Sequence, residues 1–378
     1  MDKTKKEDLL GAGYALNRIK EYVGTMNAEN LQEIYNKDYR EWAHSKGFWV
    51  RNACYYNLDE NNLNDYLSDY DYQLVWPLND WERIWINDKL TLKLILEGTK
   101  FNNIMPKYYY YSTPKGLCEL VDNNNIGNSD SAFLMSLQSH RVMACKPNNG
   151  SFAQGFYKLS FFKGNYFIND DIVSEKDIIS FVRNHPNYIY TEYLIPSNFF
   201  SKFSPLIHTI RINVLNIHGD DPVVVGEWVR IPTKQTTIVN NASLETSDKY
   251  NLITKINVKK GDLEKSYLAY ADRIVETKKH PDTGLDLSGH IEDHEAIIDF
   301  ILSFCRKYNT LEWMGFDIGV TPNGFKCMEI NSHPGIMYDQ MFTPWMKDPM
   351  LKDYFVKKIK KINNLTLEEK RRRNKIQR

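Results

Sequence analysis

The chain has 378 residues, enough for two or three lobes with cores of their own. Its 48 basic and 48 acidic side chains cancel to a formal net charge of zero, which excludes a whole-molecule attraction to nucleic acid and leaves local patches. The cysteines Cys54, Cys118, Cys145, Cys305 and Cys327 are scattered, odd in number and without C-x-x-C spacing, so no disulfide framework is expected and a reducing compartment fits. No apolar run of signal-peptide kind follows the opening M-D-K-T-K-K-E-D-L-L, and no stretch approaches about 20 consecutive apolar residues. A cytoplasmic protein is expected.

Taken in order, Leu9, Leu10, Ile19, Tyr22, Val23, Leu31, Ile34 and Tyr35 recur at helical spacing and predict helices over residues 4–46. Gly11-Ala12-Gly13 follows no strand and is too short for a dinucleotide loop. Residues 57–70, N-L-D-E-N-N-L-N-D-Y-L-S-D-Y, predict a short surface helix. A helix is also predicted over 81–98, with Asn87-Asp88-Lys89 near a turn; by position alone Lys89 reads as a surface lysine. The tryptophans Trp76, Trp81 and Trp85 and the tyrosines 108–111 are expected in cores or lobe interfaces.

Strands are predicted at 105–111 and 141–145, the second running into K-P-N-N-G-S-F-A-Q-G at 146–155. A strand-end lysine followed by small residues suits a phosphate cover, in which backbone N–H groups approach the anion and Lys146 adds a point charge. The pattern is not G-x-x-x-x-G-K-[ST], so a P-loop is excluded. A hairpin around Lys163-Gly164-Asn165, a helix start at Ser174-Glu175-Lys176-Asp177 and a strand at 188–194 ending before Pro196 follow. Strands at 209–217 and 223–231, joined by H-G-D-D-P, carry one arginine each, Arg211 and Arg230. His290 and His294 are four apart with no third ligand, which favours a polar cluster at a helix start over zinc.

After a helix over 295–308, apolar runs flank Thr321-Pro322-Asn323-Gly324, a strong hairpin signal. A three-residue loop with Gly324 left-handed would set Asp317 opposite Glu329, with Asn331 on the same face. Opposed carboxylates repel unless a cation lies between them, and this hard-oxygen set suits Mg²⁺ or Mn²⁺. The hairpin alone leaves a solvated face open as the other reading. Gly315 and Gly319 are expected to keep the face open. In the tail, eleven basic residues stand against three acidic ones between Lys352 and Arg378. Such a run reads as a solvated helix end or as a weak contact with a membrane surface or anionic polymer.

The order lysine, lysine with a glycine loop, strand-end glutamate, two strand arginines and an acidic hairpin resembles the ATP-grasp superfamily. The motifs that carry this are N-D-K-L-T-L-K-L-I-L at 87–96, A-C-K-P-N-N-G-S-F-A-Q-G at 144–155, Y-T-E-Y-L at 190–194 and G-F-D-I-G-V-T-P-N-G-F-K-C-M-E-I-N at 315–331. H-T-I-R-I-N-V at 208–214, W-V-R-I-P at 228–232 and H-P-D-T-G-L-D-L-S-G at 280–289 resemble its sugar-transfer-associated branch. The resemblance covers roughly residues 50–345 and implies an α+β fold of two lobes clasping ATP.

The domains it suggests are a mostly helical N-terminal region at 1–86, a small lid subdomain at 87–190, a large subdomain at 191–345 and a basic tail at 346–378. It further implies that Lys89 and Lys146 contact ATP phosphates beneath a loop containing Gly150, Ser151 and Gly155. Glu192, Tyr193 and Leu194 would border the adenine, and Asp317, Glu329 and Asn331 would hold Mg²⁺ or Mn²⁺. Arg211 and Arg230, with Lys146, would act on the reacting groups. Relatives commonly place an acidic residue at the ribose where His208 or Thr209 stands here, so that contact stays unassigned.

The implied reaction is carboxylate activation: an acyl phosphate and ADP form, then an amine displaces phosphate. The expected partners are a small-molecule carboxylate and amine, with a sugar-linked acceptor in surface-polysaccharide assembly among them. Two other readings stand beside this ligase: an ATP-grasp phosphotransferase on a small molecule, and a nucleotide-binding module without turnover. Substrate identity would lie in the variable parts, residues 55–72, the 233–248 loop and the segment after Gly335.

Overall fold

The structure is a computed structural model and describes residues 3–149, 155–235 and 248–377. The N-terminal region forms helices α1 (Lys6–Ala12), α2 (Leu16–Asn30), α3 (Lys37–Lys46), α4 (Val50–Tyr55) and α5 (Asp69–Val75). The surface helix expected at 57–70 is not there. Only a single 3-10 turn, Leu63–Asp65, interrupts an irregular stretch, and the helical signal is realised later, where the Ser68 hydroxyl caps α5 through Asp71 N. Asn and Asp side chains bond nearby backbone in this stretch, Asp59 accepting from Asn61 and Asn62, which competes with helix formation.

The helix expected over 81–98 is two helices, α6 (Arg83–Asn87) and α7 (Lys89–Leu96). Asp88 lies between them in an extended conformation, and its Oδ1 accepts from Thr91 N at 2.7 Å. An aspartate that caps from its own side chain starts a new helix where spacing alone suggests continuation.

Two seven-stranded antiparallel sheets follow. The smaller contains β1 (Tyr108–Thr113), β2 (Gly116–Glu119), β3 (Val142–Pro147), β4 (Tyr157–Phe162), β5 (Asn165–Ile168), β6 (Asp171–Val173) and β7 (Tyr188–Glu192), in the order β2-β1-β7-β3-β4-β5-β6. Helices α8 (Asp130–His140) and α9 (Glu175–Asn184) bury Phe133, Leu137, Ile178 and Val182 against Met143, Cys145, Leu159 and Tyr190. The β4–β5 turn has Lys163 and Gly164 at φ 49° and 82°, the primed turn that matches strand twist. Ser174 and Asp177 cap α9 reciprocally.

A short helix, α10 (Asn198–Ser201), leads to the larger sheet: β8 (Thr209–Leu215), β9 (Val223–Ile231), β10 (Tyr250–Ile256), β11 (Leu263–Tyr270), β12 (Ile274–Thr277), β13 (Trp313–Thr321) and β14 (Gly324–Asn331). Its order is β12-β11-β10-β9-β8-β13-β14. Helix α11 (His294–Lys307) lies on one face, and Phe304 meets Phe316 edge-on at 5.5 Å. Emptying such a fully buried aromatic position would cost roughly 3–5 kcal/mol. Strands β10 to β12 were not among the expected elements.

The chain closes with α12 (Met337–Phe342), α13 (Pro349–Asn363) and α14 (Leu367–Asn374). Helix α13 buries Tyr354, Phe355 and Ile362 against Leu9 of α1, Tyr22 of α2, Tyr70 and Tyr72 of α5, and Tyr14 between α1 and α2. Part of the basic tail is structural: Arg373 donates to the carbonyls of Gly13, Leu74 and Trp76. Among the described residues no helix is long and apolar enough to cross a membrane.

Candidate active site

Alternation along the large sheet sends Ile210, Ile212, Phe316 and Ile318 into the core beside α11, and their neighbours to the opposite face. Register then stacks those neighbours in rows. Glu329, Asp317, Arg211 and Trp228 stand opposite one another across β14, β13, β8 and β9. One row along come Asn331, Gly315, Asn213 and Gly226, and on the other side Thr209 pairs with Arg230, which pairs with Ile253.

Asp317 thus faces Glu329, but by a different route from the expected one. Thr321 pairs with Gly324, so the loop is only Pro322 and Asn323, and the register moves by one at a bulge between Asp317 and Ile318. The glycines do not leave the face open either. A Cβ at Gly315 would lie 2.5 Å from Pro334 Cβ, one at Gly319 would lie 3.0 Å from Ile207 Cγ1, and one at Gly226 would collide with Asp339 Oδ1. At two of them the space is taken by residues 332–342, with Pro334 over Gly315 and Asp339 over Gly226, and at Gly319 by Ile207. Asp339 Oδ2 accepts from Asn213 Nδ2 at 2.8 Å and Trp228 Nε1 at 3.2 Å, and burial pushes this carboxyl up to about 6.

Each carboxylate of the central row has a cation against it. Arg211 grips Asp317 with both arms of its fork, Nε at 2.5 Å from Oδ1 and Nη2 at 3.2 Å from Oδ2, while its guanidinium lies 5.7 Å from the Trp228 ring. Lys89 Nζ is 3.1 Å from Glu329 Oε2. Lys89 is only 6% exposed, so it is not the surface lysine its position suggested. Lys146 arrives from the end of β3 in the other sheet; burial and the nearby Lys89 ammonium bring it down to about 8, against the pull of Glu329. Burial raises Asp317, with Glu329 adding and Arg211 opposing. Glu329 is held below its ordinary value because Lys89 and Lys146 outweigh burial, which acts the other way. Burial lowers Arg230, which Tyr338 and Asp317 counter.

The two lysines are held together by residues that sequence reasoning passed over. Asn148 Oδ1 accepts from Leu90 N at 2.8 Å and its Nδ2 donates to Asp88 Oδ2 at 2.6 Å, clipping the start of α7 to the end of β3. Asn87 Oδ1 accepts from Ser332 N at 3.0 Å, which ties in the exit of β14. The available signal was the amide or carboxylate beside each lysine, in N-D-K and K-P-N.

Glu192 closes β7, exchanging backbone bonds with Lys107: its N donates to Lys107 O at 2.8 Å and its Oε2 accepts from Lys107 N at 3.1 Å. Lys158 Nζ lies 5.7 Å from the Tyr193 ring, and Leu194 is buried. Gly150 and Ser151 lie outside the described residues; Gly155 is left-handed at φ +75°. His208 is buried against Phe200, and burial lowers it to about 3. Its Nε2 accepts from Val320 N at 3.1 Å, while Thr209 lies on the charged face. His290 and His294 do not share a helix: His294 opens α11 with Nε2 at 3.0 Å from both Glu227 oxygens, and His290 stays outside it beside Asp262.

Two carboxylates and one amide on one face of the paired strands β13 and β14 fit Mg²⁺ or Mn²⁺, which typically leave further positions to water and phosphate oxygens. Asn331 Nδ2 lies 3.4 Å from Glu329 Oε1, so the amide is within reach of the pair. Among the described residues no cluster of three His, Cys, Asp or Glu side chains is placed to hold a metal without such partners.

A model of the family described as sugar-transfer associated ATP-grasp matches residues 82–345. No curated protein matches the chain in sequence. Similar solved structures include D-alanyl-alanine synthetase A from Vibrio cholerae O1 biovar eltor, at 11% identity over 76% of this chain and 67% of that one, TM-score 0.42. D-alanine–D-alanine ligase from Bacillus anthracis is 12% identical over 76% of this chain and 70% of its own, TM-score 0.38. L-amino acid ligase from Bacillus licheniformis is 10% identical over 67% of this chain, TM-score 0.34, and the match spans only 42% of its length.

Proposed function

This chain belongs to the sugar-transfer associated ATP-grasp family and has the α+β ATP-grasp fold, and from that premise we propose an ATP-dependent carboxylate–amine ligase acting through an acyl phosphate. The observation that carries this reading is the convergence of Lys89 and Lys146 on the row Glu329, Asp317, Arg211, with Arg230 one row away. In this reading the small subdomain, 87–190, and the large one, 191–345, hold the nucleotide between them. Lys89 and Lys146 bind its phosphates beneath the Gly150, Ser151 and Gly155 loop, and Glu192, Tyr193 and Leu194 border the adenine.

Arg211 and Arg230 orient the acid. A carboxylate oxygen attacks the γ-phosphorus, the bond from that phosphorus to the β,γ-bridging oxygen breaks, and ADP leaves. An amine nitrogen then attacks the acyl carbon, the C–O bond to phosphate breaks, and the nitrogen gives up its proton as the amide forms. No protein nucleophile is needed, so positioning and electrostatic stabilisation of the transferring phosphoryl group supply the rate. Asp317, Glu329 and Asn331 would hold Mg²⁺ or Mn²⁺, which when bound neutralises phosphate charge.

The family's description supports a sugar-linked acceptor, and with it we infer a role in surface-polysaccharide assembly in the cytoplasm. A weak membrane-surface contact through the tail is supported by its neighbourhood: Trp81 is 72% exposed, and Arg83, which stacks on its ring, donates to Gln377 O at 2.9 Å.

The test is ADP and phosphate release across a panel of acids with and without amines. Phosphate release that requires both partners supports the ligase; a stable phosphorylated product would instead make it a phosphotransferase, and no turnover a binding module. Arg230→Lys should retain ATP affinity while slowing single-turnover ADP formation, because lysine keeps the charge but lacks the planar fork. Lost affinity with an unchanged chemical rate would move Arg230 to the nucleotide.

A further inference from the structure

Helix α4 precedes the family-matched stretch 82–345, yet it packs on the charged face of the large sheet. Ala53 and Tyr55 join Trp228, Ile253 and Ala269 in one cluster, and the Tyr55 hydroxyl donates to Tyr270 O. The buried Glu29 carboxylate fixes the first turn of α4, accepting from Val50 N at 3.0 Å, Arg51 N at 3.2 Å and His44 Nε2 at 2.8 Å. Its oxygens are thus engaged by backbone and histidine rather than by the Arg51 side chain.

Arg51 and Tyr55 are one turn apart and share a side of the helix. Tyr55 stacks on Tyr338 with ring centroids 6.2 Å apart, and Tyr338 meets Trp228 edge-on at 5.0 Å. Asn251 Nδ2 lies 3.3 Å from the Tyr338 hydroxyl. Asn251 is two residues before Ile253, which pairs with Arg230, so all three share the charged face. Burial pushes the Tyr338 hydroxyl up, while Arg51 and Arg230 both pull it down, so both charges act on this one oxygen.

Arg51 approaches the Tyr35 hydroxyl, pairs with no carboxylate among the described residues, and has its Nε buried without an acceptor. Four cations, Lys89, Lys146, Arg211 and Arg230, act on Asp317 and Glu329, whereas Arg51 acts on the Tyr338 hydroxyl instead. Phosphates would engage the lysines and the reacting carboxylate Arg211, which leaves Arg230 and Arg51 for another anion of the same acid.

We propose that Arg51, with Arg230 and the Tyr338 hydroxyl, forms a second anion subsite, so the acid substrate carries a carboxylate or phosphate besides the carboxylate that reacts. This rests on the ligase reading, in which an acid occupies this face. The planar fork of arginine suits either anion, and the N-terminal region thereby selects the substrate.

The experiment is calorimetric titration of the full chain, held with Mg²⁺ and a non-hydrolysable ATP analogue, with two pairs of probes. Glutarate is compared with pentanoate, and 3-phosphoglycerate with glycerate, which separates a second carboxylate from a phosphate. In the wild type at least one doubly anionic probe should bind on the order of tenfold tighter than its partner, the scale of a charged hydrogen-bonded contact. Arg51→Gln should abolish that preference and leave affinity for the ATP analogue unchanged; Arg51→Lys should retain part of it. If Arg51→Gln does not fold, Arg51→Lys and Tyr338→Phe carry the same comparison. No preference in the wild type, or an undiminished one in the variants, overturns the subsite. Binding is read without turnover, so failure of the ligase reading registers separately, as absent ADP formation with any acid.

Discussion

The two sheets are alike in size, each of seven antiparallel strands, but they equip the site in opposite ways. The small sheet contributes from strand ends: Lys146 from the end of β3 and Glu192 from the end of β7. The large sheet contributes from mid-strand, through rows of side chains aligned across neighbouring strands. A group at a strand end depends on its own loop, whereas a group in a row depends on the register of every strand beside it. Damage should therefore spread further in the large sheet than in the small one.

The sharpest way to break the comparison is Glu329→Gln, which keeps the shape of the row and removes one charge. ATP turnover is expected to fall by at least ~10²-fold, since losing the proposed divalent-cation ligand and the partner of Lys89 would remove several kcal/mol of charge stabilisation. Near-normal turnover would sink the assignment of the row to metal and phosphate. A milder break is Gly226→Ala, which changes no charge but puts a methyl where Asp339 Oδ1 sits. Displacing the carboxylate from Asn213 and Trp228 should cost about 1–3 kcal/mol in denaturant unfolding. An unchanged unfolding midpoint would mean that residues 332–342 are not seated on that row.

The smallest effect sharpens the small-sheet side. Burial and the Lys89 ammonium bring Lys146 down to about 8, and phosphates would raise it. Binding should then take up a proton, so affinity for a non-hydrolysable ATP analogue weakens as pH rises above that value. Lys146→Arg stays charged throughout and should flatten the profile. A wild-type profile already flat from pH 7 to 9.5 would remove Lys146 from the phosphates.

The same division governs what was legible in the sequence. Lys146 before its small-residue loop, the α9 capping box at Ser174 and the β4–β5 turn announce themselves within a few residues, and their local physics decides them. Arg211 and Arg230 could be placed on strands, but Arg211 gripping Asp317 is a cross-strand fact that depends on register. Asn148 could not be found without knowing that β3 ends beside α7. The roles of Gly226 and Gly315 depended on a segment arriving from beyond β14, so glycine read as open space where the fold uses it for close approach. The burial of Lys89 was hidden for a related reason: the split at Asp88 turns the first residue of α7 inward.

The bulge in the β13–β14 hairpin separates the turn from the chemistry in a way useful for protein engineering. Four paired rungs, from Ile318–Cys327 to Thr321–Gly324, lie between the exposed Pro322–Asn323 tip and the register change. A tag or fluorophore inserted at the tip would leave the carboxylates aligned. Deleting Met328 alone would remove the extra residue and the local bend of the bulge, leaving Cys327 opposite Ile318 and Glu329 opposite Asp317 in regular alternation. The hairpin therefore accepts cargo at its tip, four rungs away from the paired carboxylates.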